Sequence, residues 1–282
     1  MLNRSGPQEE CLSVRIIRPF FRALVLILVA GCFSATWSGH QILPCASCHD
    51  PLAAPTAIFA PEDRAFDRTR LCLSCHDARL DASGFNPPYV SGGNTELAAG
   101  SFTPSRFADQ TGHNIQSMDA TLGATPPGGD RREVLSCLSC HDSHDNGNFR
   151  NLKKQINGRP TPVRALADPK FQDNVYISGM SGFCGACHQG FYGGRNTLGP
   201  RGYIRHPVEI QIAGARNADI DFRSRLQTPI TRVEIPSGNP IDVHAARVFC
   251  LSCHRAHATA YKDALRWDYA GGSDGCLECH TF

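Results

Sequence analysis

The chain has 282 residues, 41% of them hydrophobic and 8% aromatic, with 26 Gly and 19 Pro. Its formal charge of +2 lies in the first 31 residues; beyond them 24 basic residues face 24 acidic ones. That balance excludes the electrostatic grip on phosphate that a nucleic-acid binder needs, and so few large apolar side chains leave a conventional core thin for a chain of this length.

Residues 1–31 read as a signal peptide. Arg15, Arg18 and Arg22 precede the apolar run Ala23 to Ala30, a charged n-region before an h-region too short to cross a bilayer as a helix. The run ends Leu28-Val29-Ala30-Gly31-Cys32, which looks like a bacterial lipobox, so Cys32 is the expected lipidated anchor to a membrane surface. Cys11 lies in the n-region and is expected to be removed with it.

After His40 a pattern begins that returns along the chain. Cys45-Ala-Ser-Cys48-His49 and Cys72-Leu-Ser-Cys75-His76 come first. The stretch 77–136 lacks it, holds Asn86-Pro87-Pro88, His113 and Thr125-Pro126-Pro127-Gly128-Gly129, and reads as loop and turn. Cys137-Leu-Ser-Cys140-His141 follows, with His144 three residues on. The segment 151–170 reads as a seam between two halves, 32–150 and 151–282, with three copies each. Cys184-Gly-Ala-Cys187-His188 opens the second half. In 189–249, which again lacks the pattern, stand Arg205-His206-Pro207-Val208 and His244. There Arg232-Val233-Glu234-Ile235 and Pro240-Ile241-Asp242-Val243 flank the turn Pro236-Ser237-Gly238-Asn239 as a small β-hairpin. Cys250-Leu-Ser-Cys253-His254 carries His257 three residues on, a short helix is expected from Tyr261 to Trp267, and Cys276-Leu-Glu-Cys279-His280 ends the series. Long helical periodicity is nowhere clear.

Cys-x-x-Cys-His, six times over, is the attachment pattern of c-type haem. Two thiols bond to the vinyl groups at the porphyrin edge, and the histidine reaches the iron from one face. A disulfide, a zinc half-site or a redox dithiol asks for no histidine at that place. Six covalently bound haem c groups are therefore expected, on Cys45/Cys48, Cys72/Cys75, Cys137/Cys140, Cys184/Cys187, Cys250/Cys253 and Cys276/Cys279, with His49, His76, His141, His188, His254 and His280 as iron ligands. With roughly 40 residues per haem, the chain is expected to be unfolded without them.

Of 12 histidines, six lie outside the motifs: His40, His113, His144, His206, His244 and His257. One spare histidine per haem makes each iron six-coordinate and closed to substrate. A histidine three residues beyond the motif cannot fold back onto the same haem, so His144 and His257 are expected to serve neighbouring irons. His113 and His206 lie in loops and suit delivery from a distance. Met118 and Met180 read as packing. Bis-histidine haems with ionised propionates would take the protein to about −6 oxidised and about −12 reduced, so reduction is expected to draw in protons or cations. Beyond residue 31, 20 of the 24 basic residues are Arg, whose fork suits propionates.

The runs Cys137-Leu-Ser-Cys-His-Asp-Ser-His144 and Cys250-Leu-Ser-Cys-His-Arg-Ala-His257, with Arg205-His206-Pro207-Val208 and the tail Tyr261 to Tyr269, resemble the doubled-CXXCH multihaem cytochromes of metal-reducing bacteria. The expected fold is a multihaem cytochrome c: mostly irregular coil with short α-helices and one small β-hairpin, wrapped around a chain of six haems. The resemblance implies an exported, non-enzymatic electron carrier in the periplasm or at the outer-membrane surface or beyond. Its partners would be redox-partner cytochromes or a quinol-oxidising complex upstream and a periplasmic or extracellular acceptor downstream, with membrane anchoring through Cys32. A subunit of an extracellular cytochrome filament, a homopolymer, is the alternative; a multihaem reductase would need one open iron. Trp267 and Tyr269 read as packing over a haem edge.

Overall fold

The structure is a computed structural model that describes residues 40, 48, 64–81, 87–91, 99–102, 111–113, 115, 125–168, 173–193, 206–213, 232–239 and 242–280. Cys11, Cys32, Cys45, His49 and Met118 lie outside them, as does the whole signal segment. The chain divides into Met1–Ala35 and Thr36–Phe282, and every described residue belongs to the second unit.

Among the described residues each α-helix contains at least one motif cysteine. The helices are α1, Arg64–His76; α2, Cys137–Cys140; α3, Met180–Gly185; α4, Cys250–Cys253; and α5, Asp274–Leu277. Only α1 exceeds two turns, and its sequence carries neither Gly nor Pro. One helical turn sets residues i and i+3 on one face, which brings both thiols of a motif to one side. The turn closes on the histidine: the N–H groups of His141, His188, His254 and His280 donate to the carbonyls of Cys137, Cys184, Cys250 and Cys276 at 2.9, 2.9, 3.2 and 2.9 Å. After α2 and α4 the chain runs extended. The serine between the cysteines has its own task. Ser139 Oγ accepts from the N–H of Ser136 at 3.0 Å and Ser252 Oγ from that of Phe249 at 3.1 Å, satisfying N–H groups at the helix start.

Strands are short and antiparallel. β1 (Gln155–Ile156) and β2 (Arg159–Pro160) join through Asn157-Gly158, both at positive φ, 52° and 77°, as a tight two-residue hairpin requires. β3 (Arg164–Asp168) pairs with β4 (Asp173–Ser178), and β5 (Ile210–Gln211) with β6 (Arg247–Val248). The hairpin expected at 232–243 does not form. Its turn does, with Gly238 at φ 69° donating to the Ile235 carbonyl at 2.9 Å. The antiparallel partner of Glu234 is Arg247, and Tyr176 bridges it in parallel on the other side. Pro240 has no N–H for a ladder, whereas Arg247 to Phe249 delivers two buried apolar side chains to the core. The expected helix from Tyr261 to Trp267 reduces to one 3-10 turn, Lys262–Ala264, because Asp263 and Ala264 take φ of 58° and 55°.

That turn belongs to a local repeat. In 136–153 a motif helix is followed by a turn at Phe149–Asn151, with Arg150 and Asn151 at positive φ, then by a bridge between Leu152 and His141 and a bond from Lys153 N–H to the Cys140 carbonyl. In 249–266 the same steps recur with Asp263, Ala264, Leu265–His254, and Arg266 N–H to the Cys253 carbonyl. The main core lies between these units. Phe149, Leu152, Ile156, Val163, Tyr176 and Phe249 are buried there, with Cys140, Cys184 and Cys187 packed against them. Each such large side chain contributes about 1.5–3 kcal/mol by leaving water. The stretch 151–170 thus carries hairpins and core residues. Asn148 pins it: its Nδ2 donates to the carbonyls of Leu152 (2.9 Å) and Thr161 (3.1 Å), and its Oδ1 accepts from Val163 N–H at 2.7 Å. Met180 is buried in this core. Trp267 is buried against Gly275 in α5, where an added Cβ would meet the indole at 2.2 Å, while Tyr269 is exposed. Among the described residues no helix is long and apolar enough to cross a membrane.

Candidate haem sites

Four motif histidines each face one histidine from outside the motifs. The ring centroids are 5.9 Å apart for His40–His76, 6.4 Å for His141–His257, 6.0 Å for His113–His188 and 5.9 Å for His206–His280. Two imidazoles on one metal, each bonded at about 2 Å, place their ring centres roughly 6 Å apart. The gaps therefore fit an iron between the rings. Among the described residues neither His254 nor His244 has such a ring partner. His144 is exposed, and His49 lies outside the described residues.

The rings are held by their other nitrogen. Nδ1 of His76 donates to the Pro88 carbonyl at 2.9 Å and that of His188 to the Pro127 carbonyl at 2.9 Å. His141 uses Arg150 at 3.0 Å and His254 uses Asp263 at 2.7 Å. His113, His257 and His206 donate to the carbonyls of Ala256 (2.6 Å), Gly100 (3.1 Å) and Pro207 (2.8 Å), and His40 to that of Ser143 at 3.3 Å. Facing a carbonyl, Nδ1 must carry the proton, which leaves Nε2 with its lone pair for a metal and raises its basicity. His257 is also stacked on Phe102, centroid to centroid 4.6 Å.

Two sequence signals behind these acceptors passed as loop. The second proline of each Pro-Pro pair, Pro88 and Pro127, presents a carbonyl to a motif histidine, and the left-handed turns at Arg150 and Asp263 do the same for the two repeated motifs. Burial pushes His141, His188 and His254 below the usual histidine range, and His257 down to about 4. His254 is itself solvent-accessible. All four are neutral at physiological pH, the form that binds a metal.

The thiols of successive motifs meet. Cys72 hydrogen-bonds to Cys137, and Cys184 to Cys250. Through these contacts Cys137 is drawn down to about 7, while hydrogen bonding and then burial push Cys72 and Cys184 up. Burial raises Cys140 and Cys253 to about 12, each with the next motif's sulfurs adding to the shift: Cys187 for the first, Cys276 and Cys279 for the second. Cys48 in turn acts on Cys72. Burial disfavours a thiolate at Cys140 and Cys253, where a thioether has no charge to desolvate, while the contacts with Cys72 and Cys184 lower Cys137 and Cys250. The described cysteines are all free of disulfides. Partner imidazoles, neutral and oriented, together with paired uncharged sulfurs, are what c-type haem attachment asks of a chain.

One family match bears on that chemistry. Residues 243–282 match the family described as "Doubled CXXCH motif". No curated protein matches the chain. A solved structure, "Outer Membrane Cytochrome S Filament from Geobacter Sulfurreducens", is similar at 21% sequence identity and a TM-score of 0.40. The similarity covers 57% of this chain and 59% of that one. The family match covers the last two motifs and shows a doubled CXXCH arrangement in that C-terminal segment.

Proposed function

We propose that this chain is an exported hexahaem c-type cytochrome, a non-enzymatic carrier of electrons in periplasmic or extracellular respiration. The carrying observation is the set of four imidazole pairs, each bringing together a motif histidine and a distant one. Bound haem supplies single-electron chemistry at iron, at the low potential that bis-histidine ligation favours. The chain's part is to attach, cap and order. The paired cysteines attach each group, and His40, His257, His113 and His206 close the irons held by His76, His141, His188 and His280. His144 and His244 remain as the candidates for the irons of His49 and His254. The contacts Cys72–Cys137 and Cys184–Cys250, with the electrostatic influence of Cys187 on Cys140 and of Cys276 and Cys279 on Cys253, support a conduit in sequence order. The two halves, 32–150 and 151–282, would hold three haems each and share the core around Asn148. Cys32 would tether the protein, with cytochromes or a quinol-oxidising complex upstream and the terminal acceptor outside the inner membrane.

One observation favours the filament reading. His254 and His244 have no ring partner within the chain among the described residues, so the fifth site is the one that a second copy's histidine could complete.

Denaturing mass spectrometry should give the mature polypeptide plus six haems. The oxidised EPR spectrum should be wholly low-spin, and the reduced protein should bind no CO. A high-spin signal that binds CO would reveal an open iron and turn the reading to a reductase. A high-spin signal in dilute monomer that vanishes on assembly would support the filament.

A further inference from the structure

Glu234 is an acid in the wrong place for a structural role. It is 3% exposed, and its Oε1 has no hydrogen-bond partner. It forms no ion pair among the described residues. Its surroundings are set by every element packed around it. Arg247 on β6 is its backbone pairing partner, and Tyr176 on β4 bridges it from the other side. Glu209, just before β5, adds a second negative charge, and the Met180 amide at the start of α3 favours the charged form. Arg232 stands two residues earlier on its own segment. Tyr192 donates to Glu209 at 3.3 Å and packs on Gly185 of α3, where a Cβ would meet its ring at 2.7 Å. Glu209 also acts on Cys250. The Glu234–Glu209 pair therefore borders the place where the fourth and fifth motifs meet through Cys184 and Cys250.

We propose that Glu234 is a proton-binding site coupled to reduction: an electron arriving at the haems of the fourth and fifth motifs is matched by a proton taken from water onto the Glu234 carboxylate. The electron comes from the upstream reductant, so charge balances at each step. This rests on the electron-carrier reading and names the group that answers its charge problem. Burial, then Glu209, hold the carboxyl above the usual carboxylate range, while Arg247 and the Met180 amide pull it back. Added negative charge on reduction raises it further. Between the oxidised and reduced values, potential falls as pH rises. Below both, Glu234 stays protonated, and above both it stays charged, so in either region the dependence is flat.

The test is a spectroelectrochemical titration of the haem-loaded protein across pH, with redox-difference infrared spectra from the same cell. Haem count and EPR, taken first, decide the electron-carrier reading separately. Expected is a pH-dependent fraction of the titration together with a protonated-carboxyl band that appears on reduction. Glu234→Gln should remove both and leave the low-spin EPR spectrum unchanged, which separates Glu234 from the haem propionates. Persistence of both in that variant, or flat potentials in the parent, overturns the proposal. If Glu234→Gln does not accumulate, Glu209→Gln decides: with one neighbouring charge gone the window must move to lower pH, and an unmoved window overturns the proposal equally.

Discussion

At the residue scale, a histidine serves an iron well when its far nitrogen is occupied. His257 illustrates the construction: Nδ1 held by the Gly100 carbonyl, ring stacked on Phe102, and Nε2 left for the gap shared with His141. His257→Ala should turn one haem high-spin and open it to CO, with the number of covalently attached haems unchanged. EPR and mass spectrometry on one sample check both halves. His257 stands three residues past one motif, and its ring faces His141 of another. The partner itself was not legible, because 116 positions of chain separate the two rings and pairing is settled where loops close.

At the scale of elements, the repeated unit of motif helix, left-handed turn and return bridge explains why so short a helix persists. A four-residue helix has little stability of its own. Its stability comes from the serine that caps it, the bridge from Leu152 or Leu265, and the carbonyl turned onto the histidine. Asp263→Pro cannot take φ of 58°, since proline is fixed near about −65°. The substitution should cost about 1–3 kcal/mol, seen as a lower melting temperature. It should also raise the potential of one haem by releasing Nδ1 of His254. The repeat hid from the sequence because only Cys-Leu-Ser-Cys-His-x-x-His recurs; Asn148-Phe149-Arg150 and Tyr261-Lys262-Asp263 share a backbone path, not residue types. The hairpin expected at 232–243 failed for a similar reason. The turn chemistry was local and correct, but the choice of return strand was made by burial of Val248 and Phe249.

At the scale of the molecule, three buried clusters share the core. Motif cysteines pack against each of them: Cys140, Cys184 and Cys187 on the first, Cys279 on the second, Cys137 on the third. Haem attached at those cysteines would therefore be a structural partner of the core. Chain made without haem attachment, whether by omitting maturation or by replacing the motif cysteines with serine, should give a far-UV circular dichroism spectrum of unfolded protein and a melt without a cooperative step. A folded apo chain would show that the three clusters suffice alone.

The attachment motif was determined by the sequence itself: twelve of the fourteen cysteines and six adjacent histidines stand at a spacing that local geometry governs. A turn of helix is a property of neighbours, so Cys-x-x-Cys-His declares its use wherever it stands. Only the tertiary structure decided which distant histidine meets each of four motifs, that Cys72 meets Cys137 and Cys184 meets Cys250, and that Glu234 lies buried. Those are contacts between residues far apart in the chain. They are chosen by how the whole chain buries its apolar side chains, and no short pattern records that choice.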